Sequence, residues 1–127
     1  FATLGFIWHE GRVVVCDIEG RGWCIPSGRV DPGESSAEAI RREAVEEAGV
    51  TLRHLQYIGC YHNTSNNASC YAGEVETLGE IGMPEESRGR RLCDLSELPE
   101  IYHAWNDLTQ RVFEHSRDVL DRIAKTG

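Results

Sequence analysis

The stretch Gly28 to Val50, GRVDPGESSAEAIRREAVEEAGV, decides how this chain is read. Pro32-Gly33 marks a turn, and Ser35 with Glu38 three residues later forms a capping box, so a helix opens there. Gly49 is a natural residue just past a helix C-terminus and predicts the stop. Within the helix, Glu43, Glu46 and Glu47 stand at i, i+3 and i+4 and share one face spanning about 100°. Ala37, Ile40, Ala44 and Ala48 form a separate apolar stripe centred about 110° away. The helix can therefore pack on a sheet while displaying three carboxylates beside the packed edge. Like charges so close repel one another. Arg42, four residues before Glu46 and next to Glu43, offsets part of that repulsion. A hard divalent ion such as Mg²⁺ or Mn²⁺ would offset the rest, because oxygen ligands are what such ions select. On spacing alone, a solvated acidic helix face is the competing reading.

Outward from this helix the pattern is that of strands. Leu4 to Trp8 and Arg12 to Asp17 are apolar runs split by Glu10-Gly11, a tight turn, and Trp23-Cys24-Ile25 is a short third strand. Pro26 to Gly33 reads as a loop. Beyond Gly49, Leu52 to Tyr61 and Cys70 to Glu76 read as strands flanking a polar hairpin tip from His62 to Ser69. That tip holds the sequons Asn63-Thr64-Ser65 and Asn67-Ala68-Ser69, read here as turn chemistry. A loop from Gly79 to Arg88 leads to a strand around Arg91 to Asp94. Leu108, Val112, Val119 and Ile123, with Phe113 and Leu120, give a last amphipathic helix. The order β-β-β-α-β-β-β-α predicts an α/β (α+β) fold, a mixed sheet with helices packed against it, in one domain over residues 1–127.

Composition agrees. The chain has 127 residues, 40% hydrophobic and 27% charged, enough for one core and too few for two ordinary domains. A formal charge of −8 repels a nucleic acid backbone, which argues against duplex binding. No apolar run approaches the roughly 20 residues of a membrane span, and Phe1 to Trp8 reads as a strand instead of a signal peptide. The five cysteines, an odd number without a C-x-x-C pair, are expected to be reduced thiols of a cytoplasmic protein. Cys60 and His62 lack further ligands at zinc-site spacing.

The residues flanking the acidic face decide between the two readings. Gly28, Glu34, Arg42, Glu43, Glu46, Glu47, Gly49 and Val50 stand at the spacings of the Nudix box, and the stretch resembles the signature of the Nudix hydrolase superfamily. The resemblance covers 23 of the 127 residues, and Trp23 to Ser27 and the strand order are also similar. Two positions depart from the pattern. Ala44 fills a slot where larger aliphatic side chains are usual, and Ser27 stands where many members have glycine. The resemblance implies a Nudix-type mixed sheet sandwiched between helices. It also implies Mg²⁺-dependent hydrolysis, with Mn²⁺ a possible substitute, of a nucleoside diphosphate linked to another group X. By the same analogy Glu46, Glu47 and the Gly28 carbonyl are metal ligands, and Glu43 is a ligand, the general base, or both. Arg42 orients a carboxylate, while Glu34 and Gly49 are structural.

Other catalytic patterns are missing: there is no phosphate-binding G-x-x-x-x-G-K-[ST] loop, dinucleotide fingerprint, EF-hand or nucleophile elbow. Outside the box, Glu86 is expected to supply a further carboxylate, with Glu85 pointing elsewhere and Glu74 and Glu76 as rivals on one strand face. Tyr57, Tyr61 and His62 are candidates for a base-binding pocket. Tyr102, His103 and Trp105 read as packing residues. The expected partner is a small nucleotide, foremost a nucleoside triphosphate, and not duplex nucleic acid or a membrane. A homodimer is compatible with the sequence. The alternatives are an ADP-ribose, nucleotide-sugar or dinucleotide pyrophosphatase, a nucleotide sensor of the same fold, or an acidic interaction module. Retention of all four box glutamates favours an enzyme.

Overall fold

The computed structural model describes residues 1–62 and 67–126. Its elements are β1 (Ala2–His9), β2 (Arg12–Ile18), β3 (Gly22–Cys24), β4 (Ser27–Arg29), α1 (Ser36–Glu43), a π-helical turn (Ala44–Ala48), β5 (Val50–His62), β6 (Asn67–Leu78), β7 (Ser87–Cys93), a 3₁₀ turn (Leu95–Glu97), α2 (Leu98–Ile101) and α3 (Asp107–Thr126). The strands form one mixed sheet in the order β3-β2-β1-β6-β5, with β4 paired to β1 and β7 to β2. At its centre β1 runs parallel to β6, from Ala2 opposite Ala68 to Trp8 opposite Glu74. No helix among the described residues is long and apolar enough to cross a membrane.

The period-two alternation of β1 sorts the two faces. Phe6 and Trp8 join Val13, Val15, Ile25, Ala72, Leu98, Phe113 and Leu120 in the core under α3. Ile7 joins Val14, Val50, Leu52, Val75, Ala44 and Ala48 in the core under α1. The sheet is thus sandwiched between helices, as expected. Gly5 allows α1 to come close: a Cβ there would lie 2.8 Å from the Ile40 side chain.

Several local expectations hold and several shift. Glu10 and Gly11 have φ of 50° and 80°, a hairpin turn with both central residues left-handed. The Ser35/Glu38 capping box is present in both directions. The predicted helix widens at its end, however: α1 stops at Glu43 and the chain continues as a π-helical turn, with Gly49 left-handed at φ 68°. Ala39 is fully buried on the packed stripe where Ala37 was expected, and Ala37 is half-buried. Ser27–Arg29, read as loop, is a strand because it pairs with Ala2–Leu4, a tertiary contact invisible in local propensity. The hairpin tip is shorter than expected. Asn67, Ala68 and Ser69 already belong to β6, held between β5 and β1, so the second sequon lies in a strand. The remaining tip, with Asn63-Thr64-Ser65, lies outside the described residues. β7 begins at Ser87, earlier than Arg91, since its first residues pair with Ile18 and Cys16.

On α3 the buried line is Phe113, Ser116 and Leu120, while Leu108 is 47% exposed. Phe113 sits edge-on to Phe6 at 4.9 Å between ring centroids and stacks on Trp105. Tyr102 also meets Phe113 edge-on, so Tyr102 and Trp105 pack as expected. Ser116 is buried because it accepts a 2.8 Å hydrogen bond from Trp8 Nε1 and donates to the Phe113 carbonyl. Ser116→Ala leaves the buried indole N–H without a partner and is expected to cost about 1–3 kcal/mol in chemical denaturation. Adding Trp8→Phe should give a double variant less destabilised than the sum of the two single ones.

Candidate functional site

Arg42 organises the acidic face. Its guanidinium grips both oxygens of Glu34, through Nε at 2.9 Å and Nη2 at 3.0 Å. Nη1 donates to Glu43 Oε1 at 2.7 Å and to Glu46 Oε2 at 3.2 Å, and Nη2 also reaches the Arg29 carbonyl. Asp31 Oδ2 lies 3.5 Å away. One cation thus fixes the loop after β4 to α1. Glu34 closes that loop a second time by accepting from the Asp31 N–H. These bonds hold Glu34 below the usual carboxylate range, Arg42 first, and keep Arg42 fully protonated.

Glu43 and Glu47 are buried, 8% and 6% exposed, while Glu46 is half-buried. Loss of hydration pushes the Glu47 carboxyl up to about 7, against the 2.9 Å hydrogen bond it accepts from the Ser27 N–H. Desolvation also raises Glu43; Arg42 opposes it, and the charges of Glu46 and Glu86 add to it. Gly28 leaves room for the Glu43 carboxylate, which a Cβ there would displace. The two departures from the box pattern fit quietly: Ala44 is fully buried, and Ser27 serves through its backbone N–H.

The wide turn carrying Glu46 and Glu47 is held from outside. Its carbonyls accept from the Gly82 N–H at Val45, the Met83 N–H at Glu46, Ser87 Oγ at Glu47 and Arg90 Nη1 at Ala48. External donors thus cap the last four carbonyls, while the Gly49 N–H closes the turn onto Ala44 and Val45. Met83 also accepts from the Glu86 and Ser87 N–H groups, so Met83-Pro84 does set the loop's entry. The loop thereby brings Glu86 to the box. A cleft of about 430 Å³ is lined by Ile18, Glu19, Arg21, Ser27, Gly28, Glu43, Glu47, Glu85 and Glu86. Glu85, expected to point elsewhere, lines it too, because the loop folds back over the helix end. Glu74 is instead paired with Arg53 at 3.3 Å, and Glu76 is exposed.

Beside the cleft lies a second, more apolar cavity of about 290 Å³, whose walls include Leu4, Phe6, Ile25, Tyr61 and Tyr102. Arg21 and Ser27 border both. Tyr61 and His62 also line an adjoining cavity toward α3, whereas Tyr57 is half exposed and packs edge-on against Tyr71. Tyr71 bonds Ser36 at the start of α1, so Tyr57 belongs to the opposite sheet face and the three candidates do not share a pocket. Arg21 was missed in the sequence; the only signal was its place between Gly20 and Gly22, both at positive φ, in the turn before β3.

The donor set suits a hard cation. Glu43, Glu46, Glu47 and the Gly28 carbonyl offer only oxygens, and the buried anionic carboxylates lack full compensation. Glu43 and Glu46 are turned onto Arg42, and among the described residues no three acidic, histidine or cysteine side chains already converge on one point. Loading would therefore require a rotation of these side chains.

The profile of the NUDIX domain matches residues 3–113. A Bacillus subtilis (strain 168) protein, provisionally named 8-oxo-dGTP diphosphatase YtkD, is 32% identical over 94 residues, which is 71% of this chain and 58% of that protein. An Escherichia coli O157:H7 protein named ADP-ribose pyrophosphatase is 29% identical over 90 residues, 64% of this chain and 43% of that protein. The chain thus spans about half the length of these curated relatives. A crystal structure of a NUDIX-family hydrolase from Clostridium perfringens superposes with a TM-score of 0.74 at 17% identity, covering 95% of each chain. With the profile matched over most of its length, the chain belongs to the Nudix hydrolase family.

Proposed function

We propose that this chain is a divalent-metal-dependent pyrophosphohydrolase that cuts the diphosphate bond of a nucleoside diphosphate linked to X. Its leading substrate class is a nucleoside triphosphate, cut to monophosphate and pyrophosphate. The observation that carries the reading is the acidic cleft, with Gly28, Glu43 and Glu47 on one wall and Glu85 and Glu86 on the other, opening beside an apolar cavity. Such a cleft repels a bare diphosphate, and the cavity offers walls to a base and sugar.

In this reading Glu46, Glu47 and the Gly28 carbonyl hold Mg²⁺, with Mn²⁺ able to replace it, and Glu43 is a further ligand, the general base, or both. When bound, the ion screens the carboxylates from the phosphates, polarises phosphorus and eases deprotonation of the attacking water. Arg42 orients Glu43 and Glu46 through Nη1. Glu86, on the wall facing the helix, accepts a proton from water or supplies a further oxygen ligand there. Arg21 stands where the phosphates would leave the cleft for the cavity, and Tyr61 and Tyr102 flank the base. Tyr57 has no part in this arrangement. The partner is a small nucleotide and not duplex nucleic acid, and residues 1–127 act as one domain in the cytoplasm.

The relative named 8-oxo-dGTP diphosphatase supports a triphosphate; the one named ADP-ribose pyrophosphatase supports the second reading, a diphosphate bridging two larger groups. A panel of nucleoside triphosphates, ADP-ribose, NADH and dinucleoside polyphosphates, with products resolved by chromatography, separates the two. At least one triphosphate should turn over fastest, releasing pyrophosphate; faster turnover of ADP-ribose or a dinucleotide than of every triphosphate selects the second reading. Binding without turnover of any member selects the nucleotide sensor.

Removing the box carboxylates should separate chemistry from folding. Glu46→Gln/Glu47→Gln is expected to lose Mn²⁺ affinity in calorimetric titration together with kcat, while its Tm in chelator equals or exceeds that of the parent, because a buried charge is gone. Glu43→Gln should abolish most turnover. Parental activity in the double variant would remove the helix from the mechanism.

Glu86→Gln should lower kcat by roughly 10- to 1,000-fold, at or below the general-base range, with Mn²⁺ affinity nearly unchanged. Unchanged kinetics there, with a collapse in Glu85→Gln, moves the role to its neighbour on the same wall.

A further inference from the structure

The cysteines were read from the sequence as isolated reduced thiols, yet the sheet sets two of them face to face. Cys16 of β2 and Cys24 of β3 are direct register partners in an antiparallel pair. Each thiol reaches the other residue's carbonyl, Cys16 Sγ at 3.4 Å and Cys24 Sγ at 3.8 Å, so both side chains lie on the same sheet face. Residues directly opposite in antiparallel strands have Cα atoms about 4.5–5.5 Å apart, inside the roughly 4.4–6.8 Å that a disulfide spans. Both residues are reduced in this structure. Closing the bond therefore needs rotation of two side chains and no change of register.

Both residues are buried, Cys16 fully and Cys24 to 2% exposed, and Cys24 is among the residues lining the apolar cavity, with Arg21, Ser27 and Tyr102. The other thiols do not repeat this arrangement. Cys60 and Cys70 adjoin one cavity but are offset by one residue, Gly59 lying opposite Cys70 and Cys60 opposite Ser69. Cys93 pairs with Val13.

We propose that Cys16 and Cys24 form a peroxide-oxidisable pair, closing a disulfide in the wall of the cavity beside the acidic cleft. The chemistry is balanced with a hydroperoxide as the oxidant. The Cys24 sulfur attacks one peroxide oxygen, the O–O bond breaks, and for hydrogen peroxide one water leaves as Cys24 becomes a sulfenic acid. The Cys16 sulfur then displaces the hydroxyl from Cys24, its thiol proton leaving with that hydroxyl as a second water. Two thiols have lost two electrons and two protons, and the peroxide has been reduced to two waters. The product ties β2 to β3 three residues before Ser27, whose N–H holds Glu47. The proposal does not depend on which substrate the cleft takes, or on whether it cleaves one.

The test uses the full chain with Cys60→Ser, which removes the exposed thiol, treated with hydrogen peroxide under conditions where circular dichroism shows the native fold. Blocking free thiols during denaturation and mapping peptides should find the segments holding Cys16 and Cys24 joined, and released by dithiothreitol. The unaltered chain should give the same link, and Cys24→Ser should give none. Recovery of Cys16 and Cys24 as free thiols from folded, peroxide-treated protein overturns the proposal. Cys24 driven to sulfinic acid beside a reduced Cys16 overturns it equally.

Discussion

Everything in the site leans on one guanidinium. Arg42 is half-buried among Glu34, Glu43, Glu46 and Asp31, and it touches the first three through four separate hydrogen bonds. Without it, the loop after β4 would have no charged anchor on α1, and the acidic face would carry its repulsion uncompensated. An ammonium could not replace it, because the bidentate grip on Glu34 and the reach to Glu43 need a planar fork with donors on three nitrogens. The arrangement also leaves something unfinished. Arg42 makes no hydrogen bond to Glu47, whose buried carboxyl is pushed up to about 7 by desolvation against the Ser27 N–H and the charge of Arg21. The site is built with more negative charge than its own cation offsets, which is the electrostatic condition for taking up another.

The second half of the cleft is tied to the first through backbone carbonyls. In a helix that ends in water the last carbonyls are solvated; here the loop from Gly82 to Arg90 supplies donors to four in succession. Ser87 and Arg90 act as anchors whose side chains donate to main-chain carbonyls, tying the segment that carries Glu85 and Glu86 to the helix end. Gly49 makes the crossing possible. A Cβ at that position would come within 2.7 Å of the Glu80 carbonyl, and the left-handed φ would strain any other residue.

What was legible in the sequence was what rests on local rules. The capping box at Ser35 and the tight Glu10-Gly11 turn each follow from a few adjacent residues and appear where expected, while the apolar stripe keeps Ile40, Ala44 and Ala48 and exchanges Ala37 for Ala39. The box residues were legible because their spacing is specific, and Glu34, Glu43 and Glu46 each accept a hydrogen bond from Arg42. Long-range partners were what the sequence hid. β4 exists because β1 is beside it, and the last carbonyls of the π-helical turn are capped by Ser87 and Arg90, some forty residues later. Tyr57 looked equivalent to Tyr61, yet bulges in β5 and the pairing with Tyr71 put it on the other face. Arg21 carried no motif at all, and Cys16 and Cys24 acquire a relationship only once β2 and β3 are paired.

The sheet divides the work between its faces. The carboxylates come from α1, on the side of Ile7 and Val14, while the apolar cavity belongs to the side of Phe6 and Ile25. A ligand using both must pass the edge where the chain turns from β3 into β4, and that edge is the short run from Cys24 to Gly28. Ile25 packs in the α3-side core, Pro26 is buried and its carbonyl accepts from the Gly5 N–H, Ser27 holds Glu47, and Gly28 clears Glu43. Five residues therefore set the distance between the cleft and the cavity. Because these five are fixed from both cores, they hold that distance while side chains lining the apolar cavity on the α3 side are exchanged. The charge balance around Arg42 is set separately, on the α1 side, by Glu34, Glu43 and Glu46.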